Sequence, residues 1–270
     1  MGKRVNAYGS IAGGKKTKAT VYIPWQSNGM VPKNIIDGSV RSAFVYVCGL
    51  CSNYFQHEKL PKVVMKHQLY SVMASRTEVD QGISKLRESG DIKLFKTSLG
   101  QDQYCVMFTT DYIEYVQTKF ASSKSDANND DIKLPAMPKC MTKFLSEIVH
   151  NTHSVSIDKS CLITENNFKD SDITELVKFG VLTVKNAGSW WLSIPNVGQF
   201  LKHLRKGRQG LVQVIRRTKY KELSCTELKS RKAPASVKLG VEYHIHDLVG
   251  ADLLTCREST TGVLLRIAND

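Results

Sequence analysis

The stretch VLTVKNAGSWWLSIPNVGQFLKHLRKGRQGLVQVIRRTKYKEL, Val181 to Leu223, decides how the rest of the chain is read. It opens with apolar and polar residues in alternation, turns at Asn186-Ala187-Gly188, and resumes through Trp190 and Trp191. That is the pattern of two strands joined by a tight turn. Pro195 and Gly198 interrupt it, and a segment loaded with Lys and Arg follows. With Phe200 set at zero and 100° per residue, Leu204, Leu211, Val214 and Ile215 fall within about 60° of it. Lys202, Arg205, Lys206, Arg216 and Arg217 cluster between about 140° and 260°. The spacing therefore predicts a helix with one packing face and one cationic stripe. Of the two tryptophans, alternation along a strand sends one toward the core and leaves the other for a partner.

The charge is concentrated around this helix. The chain of 270 residues carries a formal net charge of +13. Residues 198–240 hold 12 Lys/Arg against Glu222 and Glu227, and residues 1–37 hold six against Asp37. What remains is close to neutral. Such localisation suits a polyanion: nucleic acid, acidic lipid or an acidic protein.

Looking outward, the pattern repeats. ISKLRESGDIKLFKTSLGQDQYCVMF, ITELVKFGVLTVKNAGSWWLSI and IHDLVGADLLTCRESTTGVLLRI each read as a short helix, a glycine, a strand, a polar turn and a second strand. Gly90, Gly180 and Gly250 are expected to stop the three helices. In the first copy VVMKHQLYSVM supplies a preceding helix, with Thr77 as the expected N-cap of the second. Helix-turn-helix followed by a hairpin is a winged helix, whose second helix is the one able to enter a groove. The ribbon at Val181–Ile194 is then a wing, and the basic segment is the first helix of the third copy.

The expected fold class is α+β, mostly α, built as three tandem winged-helix domains. Their expected bounds are 38–120, 137–197 and 198–270, with a flexible basic tail at 1–37 and a linker, ASSKSDANNDDIKLPA, at 121–136.

Several chemistries are poorly supported. No apolar run approaches the roughly 18–20 residues that span a bilayer, and the N-terminus lacks a secretory signal pattern. A soluble intracellular protein is expected, with no membrane partner. The seven cysteines are odd in number and scattered; only Cys48 and Cys51 have metal-like spacing, and no second pair follows. Two buried thiols in a reducing compartment explain them, and no metal is expected. GSIAGGKK has the glycine and Lys15 spacing of a phosphate-binding loop, but Lys16 stands where Ser or Thr must reach magnesium. In YHIHDLVGAD, His244 and Asp247 have the look of a kinase catalytic loop. Asp252 occupies the place of the metal-binding Asn, and neither Asp-Phe-Gly nor a glycine-rich loop is found. No catalytic residue and no cofactor is expected, and His244 and His246 read as polar residues on a helix.

AGSWWLSIPNVGQF, KGRQGLVQVIRRTKYKEL, RKAP, YHIHDLVGADLLTC and STTGVLLR together resemble the serine/threonine-protein kinase 19 family. The likeness runs from about Arg41 to Ile267 and is densest after Asp170. It implies three tandem winged helices, binding to double-stranded DNA and to RNA, and residence in the nucleus. It also implies a scaffolding part in transcription-coupled nucleotide excision repair. The implied partners are the complex on stalled RNA polymerase II and the helicase-bearing general transcription factor; a second copy of the chain is a further candidate. Kinase activity, the historical assignment, is disfavoured for that family. A protein–protein adaptor without a direct DNA role is the remaining alternative.

The resemblance places DNA-contacting cations at Lys202, Arg216, Lys219, Arg231 and Arg76, and keeps the charge at Arg217 and Lys232. The helical stripe adds Arg205 and Lys206, and Arg208 joins them from the same basic segment.

Overall fold

The computed structural model describes residues 38–51, 60–100, 103–122, 137–260 and 262–268. The expected tail at 1–37 lies outside the described residues. So does the expected linker, except for residues 121–122, which complete a helix instead.

Three sets of helices and strands follow one another. The first comprises α1 (Val40–Gly49), β1 (Val64–Met65), α2 (Lys66–Val72), α3 (Arg76–Glu88), β2 (Ile92–Lys96), β3 (Tyr104–Phe108) and α4 (Thr109–Ser122). The second comprises α5 (Lys139–Lys143), which runs on as a π-helical stretch at Phe144–Val149, then β4 (Ser156–Asp158) and a second π-helical stretch at Ser160–Glu165. It continues with α6 (Asp170–Phe179), β5 (Leu182–Asn186) and β6 (Ser189–Leu192). The third comprises α7 (Val197–Arg216), β7 (Glu222–Ser224), α8 (Cys225–Ser230), α9 (Val241–Gly250), β8 (Leu254–Ser259) and β9 (Gly262–Ile267). The class is α+β.

Each set builds one antiparallel three-stranded sheet, ordered β1-β3-β2, β4-β6-β5 and β7-β9-β8. The hairpins are those read from the sequence. The short first strand of each sheet is an addition: two or three residues show too little alternation to be recognised. It pairs with the second hairpin strand, as in Val64 opposite Val106, Ile157 opposite Trp190 and Leu223 opposite Leu265. This ties the front of each set to its ribbon.

The helix ends show where local chemistry acts. Ser75, not Thr77, caps α3: its hydroxyl accepts from the Glu78 amide at 3.2 Å, and Thr77 sits inside the first turn. Gly180 ends α6 with φ of +86°, a conformation that costs glycine no Cβ clash. Gly250 is expected to act likewise but is still helical, and the helix ends beyond it, capped at Ala251. Its reason is proximity. A Cβ there would lie 1.9 Å from the His67 carbonyl oxygen of α2.

The three sheets share one continuous apolar core, so they pack as a unit. Between the first and third sets, α2 crosses α9 and the polar groups interlock. The Tyr243 hydroxyl donates to the Val63 carbonyl at 2.7 Å, Gln68 donates to the Tyr243 carbonyl at 3.1 Å, and Ser71 meets His246 Nδ1 at 2.8 Å. Between the first and second sets, the Tyr112 and Tyr115 hydroxyls donate to the Ser193 and Pro195 carbonyls. Lys93 is buried there and donates to the Thr152 carbonyl at 2.8 Å.

Candidate nucleic-acid interface

Helix α7 is the longest of the described elements and forms as its period predicts. Phe200, Leu204, Leu211 and Ile215 are fully buried, each contributing roughly 1.5–3 kcal/mol by leaving water. Gly207 lies on the same face, where a Cβ would meet the His244 ring of α9 at 2.1 Å. This packing fixes the rotation of the helix about its axis. The opposite face must therefore look outward.

On that face Lys202, Arg205, Lys206, Arg216 and Arg217 are all exposed. Among the described residues none of the five has a carboxylate partner. At 1.5 Å rise per residue the stripe is about 20 Å long. Lys219 follows in the loop, exposed, with its ammonium 5.2 Å from the Tyr220 ring centroid. Lys232 is exposed past the end of α8. Neighbouring Arg231 is half engaged: its guanidinium pairs with Glu227 one turn back, on a solvent-facing site. Such exposed pairs are worth little and can be exchanged for a stronger anion. Arg76, at the start of α3, behaves similarly. It reaches Asp252 at 2.7 Å, lies 5.4 Å from the Tyr70 ring centroid, and remains more than half exposed.

Arg208 departs from expectation. Its side chain is 15% exposed and its guanidinium holds Asp247, which is fully buried on α9. The reason is angular: 100° per residue places it about 80° from Phe200, beside Ile215 and off the stripe. Burial alone would lower its pKa, but hydrogen bonding and charge from Asp247 raise it above the ordinary value. The guanidinium thus stays charged for its carboxylate, not for phosphate.

The groove-entering helix also departs from expectation in the third set. Tyr243 through Leu248 of α9 are buried against α2 and α7, so this helix has no face to offer a groove. In the second set α6 is exposed but carries Asp170, Asp172 and Glu175, which phosphates repel. The cations are instead presented by the first helix of the third set and by the segments flanking α8.

The kinase-like residues are likewise enclosed. Burial pushes the Asp247 carboxyl up, but hydrogen bonds from Arg208 and His67 hold it below the usual carboxylate range. His67 Nε2 lies 2.7 Å from Asp247 Oδ1. No open position remains for a substrate hydroxyl. His244 and His246 are polar residues on a helix, as expected, and both are buried in α9, where burial pushes their pKa values down to about 4 and about 3. Cys51 is buried with its thiol directed to the Leu239 carbonyl, and Cys48 is partly buried. A polar cleft of about 220 Å³ beside Lys66, Tyr70 and Arg76 is smaller than usual ligand sites of roughly 300–1,000 Å³.

The tryptophans divide as alternation requires. Trp190 packs against the core, whereas Trp191 does not and has the Lys96 and Lys185 ammonium groups over its ring. The sequence singled out neither lysine, because Lys96 approaches from the other hairpin.

A family model described as inactive serine-threonine protein kinase 19 matches residues 51–267. The chain is 38% identical over 228 residues to winged helix repair factor 1 of Xenopus laevis, covering 84% of this chain and 83% of that one. It is 36% identical over 230 residues to winged helix repair factor 1 of Homo sapiens, covering 85% and 86%. The protein of that name from Dictyostelium discoideum is 26% identical over 241 residues, 79% of this chain and 61% of its own. On the extent of these matches, the chain belongs to the inactive serine-threonine protein kinase 19 family, whose relatives are named as winged helix repair factors.

Proposed function

We propose that the protein is a non-enzymatic DNA-repair scaffold that grips double-stranded DNA, and RNA, through the cationic stripe of α7. In this reading each of the three helix–sheet sets is a winged-helix domain, at 38–120, 137–197 and 198–270. The single observation that carries the proposal is the row Lys202, Arg205, Lys206, Arg216 and Arg217, exposed, without a carboxylate partner among the described residues, and held rigid by a fully packed opposite face. Lys219, Arg231, Lys232 and Arg76 extend it. Contacts to phosphate position a duplex without reading its sequence, so binding is largely sequence-independent.

The cellular role follows the family: a nuclear protein of transcription-coupled nucleotide excision repair at stalled RNA polymerase II, helping to place the helicase-bearing transcription factor. Self-association is compatible with that role. The acidic, exposed α6 favours a protein partner over a groove, so scaffolding and DNA binding belong to different faces.

The salt dependence of duplex binding tests the proposal. Each neutralised phosphate adds about −0.9 to the slope of log affinity against log salt, so a slope on the order of −4 to −7 is expected. A flat response sets the phosphate reading aside.

A further inference from the structure

Trp191 stands on the outer face of the middle sheet. It lies directly opposite Ser156 on β4 and Thr183 on β5, and directly opposed residues share a face. The neighbouring residues Ile157 and Trp190 turn the other way, toward the core. Lys185, at the register shift of β5, reaches back across the sheet. Its ammonium donates to the Ser156 hydroxyl at 3.1 Å and lies 4.4 Å from the Trp191 ring centroid. Lys96, the exposed end of β2, comes from the first hairpin and places its ammonium 4.8 Å from the same centroid.

Two positive charges thus share one indole ring, no more than about 9 Å apart. Among the described residues neither is paired with a carboxylate; Asp158, one step along the same face, reaches neither. Cation–π attraction holds the two lysines but leaves their charge uncompensated. A half-exposed aromatic ring flanked by unneutralised cations, at the seam where the first hairpin meets the middle sheet, is the composition that receives a single-stranded nucleic acid. The ring stacks on a base of any identity, and the cations take the phosphates on either side. A duplex is a poor occupant, because its bases are already stacked on one another. Each ammonium can swing to phosphate at the loss of a ring contact and, for Lys185, of its hydrogen bond to the Ser156 hydroxyl.

We propose that Trp191, Lys96 and Lys185 form a binding site for single-stranded nucleic acid, separate from the duplex-gripping stripe of α7. Trp191 stacks one base and the two lysines neutralise the flanking phosphates. The site joins two hairpins, so it exists only when the first and second sets are packed together. It does not depend on the duplex proposal.

Fluorescence anisotropy with labelled oligo(dT), oligo(rU) and a mixed-sequence duplex tests it on the full chain. Trp191→Ala and the double variant Lys96→Glu/Lys185→Glu are each expected to weaken single-strand binding by about tenfold. Trp191→Phe retains most of it, since a ring remains, and duplex affinity stays within about twofold throughout. Loss with oligo(dT) alone assigns the site to DNA, with oligo(rU) alone to RNA, and with both to either strand. Should Trp191→Ala unfold, the double lysine variant carries the test, because its side chains reach solvent. Wild-type single-strand affinity in the double variant overturns the proposal. So does a parallel loss of duplex binding, or no single-strand binding by the wild type.

Discussion

Arg208 and Asp247 form a buried two-pronged ion pair that joins α7 to α9. Nη2 lies 2.7 Å from Oδ1, and Nε donates to Oδ2. His67 of α2 closes the cluster on Oδ1, so one carboxylate ties three helices together. Arg208→Ala leaves that carboxylate buried and without its guanidinium, and is expected to cost about 3–5 kcal/mol. Chemical denaturation measures this directly. Replacing both partners with apolar residues of similar size, Arg208→Met with Asp247→Leu, should recover most of the loss. If Arg208→Ala keeps full stability yet weakens DNA binding, Arg208 belongs to the interface after all.

The buried histidines set an acid limit. His244 and His246 have folded pKa values lowered to about 4 and about 3, against roughly 6.5 when unfolded. Both are therefore neutral in the folded protein while the unfolded chain takes up protons. The stability they allow is complete above the unfolded value and is lost as pH falls below it. Between pH 7 and pH 5 each is expected to remove on the order of 2 kcal/mol. Urea midpoints at the two pH values check this; equal midpoints contradict the burial.

Gly250 makes the crossing of α2 and α9 possible. Because the atom 1.9 Å from a Cβ would be a backbone oxygen, no rotamer can relieve the clash. Gly250→Ala is expected to destabilise by about 3 kcal/mol, the upper part of the range for overpacking. Hydrogen exchange should quicken first in α2 and α9. An unchanged melting temperature would mean that the helices do not cross so closely.

Much of this was legible in the sequence for identifiable reasons. The 20-residue α7 and its stripe are legible because the apolar period holds over several turns. The hairpins are legible because their turns carry Asn, Gly or Ser between apolar strands. Arg208 sits in a basic segment, so its charge suggests the stripe, but its angle beside Ile215 signals burial. What period and composition do not carry is which element meets which. Nothing local to Tyr243–Leu248 says that α9 will be buried under α2, so its unsuitability for a groove appears only in three dimensions. The same holds for Lys96 and Lys185, more than 80 residues apart and joined only by Trp191.

The central claim is that the outward face of α7 grips a phosphate backbone. Duplex DNA affinity of the Lys202→Glu/Arg216→Glu variant, measured beside the wild type at physiological salt, tests it most directly. Both side chains are exposed and, among the described residues, have no carboxylate partner, so stability should be unchanged while affinity falls at least about tenfold. A variant that folds normally and binds duplex as tightly as the wild type would contradict the account.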